Sequence, residues 1–146
     1  MATILQNQPD DKAGFEVVEH TADWALLVWG KDIEELFTLA AAGMSSLMVA
    51  DPDLLPQNVI RSFTLEAFDA ETLLVDWLSE LAFWAEEEQL VFREFDVTIT
   101  GDLLLSATVR GGIADGLVKH IKAVTYHNLV IEKTGQGLQV TIVFDV

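Results

Sequence analysis

The chain has 146 residues, 51% of them hydrophobic, with 24 acidic against 8 basic side chains and a formal net charge of −16. Its apolar content excludes a disordered chain, the absence of cysteine excludes disulfides, zinc–thiolate sites, iron–sulfur clusters and thiol catalysis, and its charge opposes a phosphate backbone, so no direct nucleic-acid binding is expected. No uncharged apolar run approaches the roughly 20 residues that span a bilayer, and Met1 to Lys12 lacks the basic and apolar regions of a secretory signal, so a cytoplasmic protein without membrane contact is expected.

Residues 1–12 read as a polar arm, expected to be flexible, and 13–146 as a single domain, since no linker, repeat or low-complexity tract interrupts them. Phe15 to Glu19 reads as a strand and Trp24 to Trp29 as a second, with His20-Thr21-Ala22-Asp23 in the turn between them. Asp32 is the expected N-cap of a helix with Glu35 three residues on, and Ile33, Leu36, Phe37, Ala40, Met44, Leu47 and Met48 keep helical spacing until Ala50-Asp51-Pro52. Arg61 to Ala67 alternates as a half-buried strand, with Phe63, Leu65 and Ala67 on the apolar face. Asp69 then caps a second helix with Leu74, Trp77, Leu78, Leu81 and Ala85 as its buried stripe, ending in Glu86-Glu87-Glu88.

The last third is strand-rich. Phe92 to Thr100 and Leu103 to Arg110 flank a Gly101-Asp102 turn, a glycine-containing loop follows around Gly111 to Gly116 with Gly111-Gly112 as a flexible connection, and Ala123 to Lys133 reads as one strand. Thr134-Gly135-Gln136-Gly137 turns the chain into Leu138 to Val146, where Leu138, Val140, Ile142, Phe144 and Val146 share one face and Asp145 lies on the other. The order β-β-α-β-α-β-β-β-β predicts an α+β two-layer sandwich, two helices packed on a mainly antiparallel sheet.

Chemistry is thinly supplied. With three histidines and no cysteine, neither a nucleophile elbow, a zinc helix motif, a P-loop nor a dinucleotide fingerprint is present. Asp23 alone is commoner as a turn carboxylate satisfying local amides than as a ligand, and His20 is commoner as a backbone-bonded imidazole. Asp145 stands out because its side chain and the α-carboxylate of Val146 put oxygen donors within one residue, which suits a hard cation, although an exposed acid at a frayed end has the same sequence. A two-residue turn at Gly135-Gln136 would bring Asp145 opposite Tyr126 and beside His127. Lys122 could balance a carboxylate cluster or contact a phosphate, although such a lysine is more often merely solvated. The four tryptophans read as core or rim.

Phe15-Glu16-Val17-Val18-Glu19-His20-Thr21-Ala22-Asp23, Trp29-Gly30-Lys31, Leu36-Phe37, Lys122-Ala123-Val124-Thr125-Tyr126-His127 and Phe144-Asp145-Val146 together resemble the archease family, over nearly the whole chain after the arm. The resemblance implies a small accessory protein, not an enzyme, that activates the tRNA-splicing RNA ligase by promoting its guanylylation and repeated turnover, with a chaperone-like role also proposed for the family. It implies metal ligands at Asp23, Asp145 and a main-chain or terminal oxygen of Val146, with calcium the usual ion. Lys122 matches a position associated with activation, and His20 and His127 take supporting roles. Two rivals use the same residues differently: a metal-dependent phosphoester hydrolase with His127 as general base, and a metal-independent scaffold or chaperone.

Overall fold

The computed structural model describes residues 2–4, 13–19 and 23–146; His20, Thr21 and Ala22 of the turn and most of the N-terminal arm lie outside the described residues. Its elements are β1 (Ala2–Ile4), β2 (Gly14–Glu19), β3 (Trp24–Gly30), α1 (Ile33–Met48), a 3-10 turn (Pro52–Leu54), β4 (Val59–Glu66), α2 (Ala70–Glu88), β5 (Leu90–Ile99), β6 (Leu104–Ile113), β7 (Ala123–Val124), β8 (Glu132–Thr134) and β9 (Gly137–Asp145). The α+β class holds, and every described strand pair is antiparallel. The strands divide between two sheets, however, ordered β1-β2-β3-β9-β7 with β8 also on β9, and β4-β6-β5.

The caps set where the helices begin. The Asp32 carboxylate accepts from the Glu35 N–H at 2.9 Å while Glu35 accepts from the Lys31 N–H at 2.8 Å, so two N–H groups at the start of α1 are satisfied reciprocally. Asp69 does the same for the Thr72 N–H at 2.7 Å. α2 ends at Gln89, whose left-handed φ of 53° turns the chain into β5.

Packing of α1 explains why there are two sheets. It lies against β3 of the larger sheet and β5 of the smaller, and its polar side chains bond the backbone of β5 directly: Glu34 accepts from the Ile99 N–H at 2.8 Å and the Ser45 hydroxyl donates to the Phe92 carbonyl at 2.8 Å. That edge is therefore closed to a further strand. Leu36, Phe37, Ala40, Ala41 and Met44 of α1 are fully buried, with Leu73, Leu74, Trp77 and Leu78 of α2. Each large apolar side chain buried in this way stabilises the fold by about 1.5–3 kcal/mol before entropy is counted. The Trp77 indole N–H donates to the Phe37 carbonyl at 3.0 Å, joining the helices in the dry interior.

Two expectations need correction. The Gly111-Gly112 pair is not a flexible loop but the buried end of β6, with Gly111 between Val59 of β4 and Phe92 of β5. A Cβ on Gly111 would lie 2.6 Å from Phe92 Cα, and one on Gly112 would lie 2.7 Å from Pro56 Cβ, so close backbone approach rather than mobility demands these glycines. Nor is 123–133 one strand. Glu132 faces Gln139 and Val124 faces Phe144, so the seven residues 125–131 stand against four, 140–143, and three are surplus. They leave the sheet as a turn closed by the Leu129 N–H on the Tyr126 carbonyl, with Asn128 at a left-handed φ of 50°. Glu71 of α2 holds the far side of this turn by accepting from the Ile131 N–H at 2.9 Å.

Candidate functional site

The site is built by the register of the central strands. β3 and β9 pair Val28 with Val140, Leu26 with Ile142 and Trp24 with Phe144, and these β9 residues are buried under α1 with Leu26 and Val28. Side chains alternate across a sheet, so one step beyond the last registered pair Asp23 and Asp145 stand across from each other on the opposite face. Directly opposed residues hold their Cβ atoms about 4.5–5.5 Å apart. On the other flank of β9, Ala123 faces Asp145, and the Lys122 N–H donates to the Asp145 carbonyl at 2.7 Å. Continuing that register by one residue sets Lys122 beside Val146.

Asp23, Lys122, Asp145 and Val146 thus meet at one end of the larger sheet, from three strands distant in sequence. Asp145 and Lys122 are exposed, while Asp23 and Val146 are half-buried. Among the described residues neither carboxylate has a hydrogen-bond or ion-pair partner, and no Asx-turn bond joins Asp23 to one of them. Like charges directly opposed across a sheet repel, and at about 4 Å two carboxylates cost about 1 kcal/mol even at the dielectric of water. A cation relieves this repulsion. Among the described residues no three His, Asp or Glu side chains gather to hold a metal ion. The donors fit a hard divalent cation in kind, yet two side chains and a terminal residue cannot close a shell of six to eight oxygens, so water or another molecule would supply the rest.

The structure does not bring His127 or Tyr126 into this set. Both fall in the turn looped out of the sheet, where the His127 N–H meets the Thr125 hydroxyl at 3.3 Å and its ring Nε2 lies 3.3 Å from the Asn128 amide nitrogen. Thr125 marks the point of departure, its N–H and hydroxyl both donating to the Val143 carbonyl at 3.0 Å. His20 lies outside the described residues. What sequence reading missed is Lys119, whose Nζ stands 3.9 Å from the centroid of the Trp24 ring, against the residue that follows Asp23. Ninety-five positions separate the two in sequence, so no local spacing announces the contact. Next to it His120 meets Glu86 at 2.8 Å, tying the segment between β6 and β7 to the acidic end of α2. Among the described residues the indole N–H of Trp84 is buried with no hydrogen-bond partner, and Arg61 lies 5.1 Å over that ring.

Fold and site define a small α+β protein with two helices against antiparallel sheets and a pair of opposed carboxylates at one sheet end. Residues 15–146 match the model of the Archease protein family (MTH1598/TM1083), and the chain belongs to that family. It is 36% identical over 140 residues to protein archease of Methanosarcina barkeri, covering 90% of this chain and 95% of that one. Protein archease of Saccharolobus islandicus is 36% identical over 137 residues, covering 90% and 98%. Among solved structures, the solution structure of Methanobacterium thermoautotrophicum protein 1598 superposes with a TM-score of 0.74 at 30% identity, covering 91% of this chain and 99% of that one. The crystal structure of a Thermotoga maritima protein described as an archease, possible chaperone, shares the fold with a TM-score of 0.61 at 24% identity, over 88% and 94% of the two chains.

Proposed function

We propose that this protein is a metal-binding accessory protein that activates the tRNA-splicing RNA ligase, promoting guanylylation of that enzyme and its multiple turnover, and that it is not itself an enzyme. The observation that supports this reading is the opposed pair Asp23 and Asp145, flanked by Val146 and Lys122, in a chain of the archease family. Asp23, Asp145 and an oxygen of Val146 would hold the cation, with calcium expected from the oxygen donors. When bound, the ion supplies a local positive charge on an otherwise acidic surface.

This chain's own part is to position that charge and leave its outer side open. The carboxylates project from neighbouring strands locked by the Trp24–Phe144 pair beneath them, and Lys122 adds a fixed positive charge at the same end. A net charge of −16 suits a basic, RNA-binding protein partner and repels the RNA itself, so the surface selects the enzyme over its substrate. The description of the Thermotoga maritima relative as a possible chaperone agrees with action on another protein. His20 and His127 have supporting roles, and the site of action is the cytoplasm; among the described residues no helix is long and apolar enough to cross a membrane.

The test is ligase guanylylation and multiple-turnover RNA joining with wild type, Asp23→Ala and Asp145→Asn. Loss of stimulation by both variants with no loss of melting temperature is expected. Full stimulation by both, or after chelation, would sink the metal reading and leave a metal-independent scaffold. Phosphoester turnover by the purified protein alone would instead favour a hydrolase, a reading weakened by the exit of His127 from the sheet.

A further inference from the structure

A second surface feature lies at the C-terminal end of α1. Here a pocket of about 330 Å³ opens between the helix end, the 3-10 turn and the end of β6. Its apolar wall includes Leu55 and Pro56 together with Leu54 and Ile113, which are 81% and 53% exposed although both are large apolar side chains. Val118 continues the apolar strip beside it, 64% exposed, its N–H donating to the Met48 carbonyl at 2.7 Å.

The charged residues that line the pocket have one sign. Asp51 and Asp115 line the pocket and no basic residue does. The last turn of α1 carries no basic side chain, so the negative end of its dipole is not offset locally. Arg93 is a nearby cation, and its guanidinium is engaged by the backbone, donating to the carbonyls of Asp53 and Leu55. Those bonds also make the wall rigid. Pro56 is seated on Gly112, where even a methyl group would not fit, so the pocket is preformed rather than a gap between mobile loops.

We infer that this pocket is a docking site for a lysine- or arginine-rich segment of a partner protein that inserts one or two large apolar side chains between Leu54 and Ile113. Apolar wall, acidic rim and helix C-terminus together match a cationic amphipathic segment, and they disfavour an acidic or a purely polar one. The chain from Ala114 to Lys122 runs from this pocket to the carboxylate end of the sheet, held by the bond of Val118 to Met48, by Lys119 on Trp24, and by the bond of Lys122 to Asp145. A partner seated in the pocket therefore contacts a segment that leads to the backbone of Asp145, while the carboxylates of Asp23 and Asp145 project from the opposite face of the sheet.

The experiment needs neither metal nor ligase, so its failure is separable from failure of the proposed function. The full-length protein is titrated with three synthetic peptides, an amphipathic leucine–lysine helix, a serine–lysine peptide of equal charge and a leucine–glutamate helix, while backbone amide shifts are followed. The leucine–lysine peptide is expected to bind with shifts concentrated at residues 49–56 and 113–118, and Leu54→Asp to weaken it at least tenfold without weakening serine–lysine binding. The substitution adds a negative charge, so a purely electrostatic contact would strengthen instead. Ile113→Ser should act in the same direction, and the exposure of both residues spares the fold. Equal affinity for the two lysine peptides, shifts spread over the acidic surface, or indifference to Leu54→Asp would overturn the inference, as would self-association of the protein that Leu54→Asp abolishes.

Discussion

Replacement of Gly111 by alanine separates two descriptions of the same residues by the sign of the effect. If Gly111-Gly112 were a mobile connection, alanine would stabilise the protein by roughly 0.4–1 kcal/mol through loss of unfolded-state entropy. In the structure the new methyl carbon would lie 2.6 Å from Phe92 Cα and closer still to the Val91 carbonyl oxygen, against an optimum of about 3.5–4.0 Å between carbons. The obstacles are backbone atoms of a paired strand, so they cannot rotate away and β5 must shift against β6. Overpacking costs about 1–3 kcal/mol, and a backbone clash belongs at the upper end, about 3 kcal/mol. At about 2–4 °C per kcal/mol for a chain of this size, the melting temperature should fall by about 6–12 °C. Gly101, with nothing within 4 Å of its built Cβ, is the control, and Gly101→Ala should stay within about 0.5 kcal/mol of wild type. Urea unfolding followed by tryptophan fluorescence measures both. A Gly111→Ala protein as stable as wild type would refute the strand placement of the pair.

Other outcomes follow from the caps and the chain end. Gln89→Gly should raise the urea midpoint: the left-handed φ of 53° costs a non-glycine residue roughly 1–2 kcal/mol, glycine's extra unfolded entropy returns roughly 0.5–1, and the net gain is about 0.5–1 kcal/mol. The Thr72 N–H, and secondly its hydroxyl, hold the Asp69 carboxyl below the usual carboxylate range. A depressed folded-state pKa gives stability that is present above the unfolded value near 3.9 and lost as pH falls through the lower folded value. Wild type should therefore lose more stability than Asp69→Asn on acidification from about pH 5 to about pH 2, and parallel pH profiles would contradict the cap. The proposed metal site requires Asp145→Asn to weaken calcium binding, which titration calorimetry checks; an affinity equal to that of wild type would remove Asp145 from the ligand set.

Much of this protein was legible locally because its signals are local. Asp32 and Asp69 announce their helices, the periodic stripes identify buried residues such as Phe37 and Trp77, and the alternation of Phe63, Leu65 and Ala67 with Ser62, Thr64 and Glu66 gives the inward face of a strand. The candidate site residues Asp23, Lys122 and Asp145 are likewise written in the chain. Where reading failed, the deciding force came from elsewhere in the molecule. Val124 and Ile131 look like parts of one strand because β-propensity does not know that three residues between them have no partner on β9. Gly111-Gly112 looks like a loop because glycine serves both for mobility and for close approach, and only the position of Val91 and Phe92 tells them apart. Sequence by itself determined the helices, the apolar faces, the charge and the candidate acids, since each depends on near neighbours or on composition. The tertiary structure decided that Asp23 meets Asp145 while His127 does not, and that Lys119 covers Trp24, because pairing register and the path of a looped-out segment are set by packing between residues about a hundred positions apart.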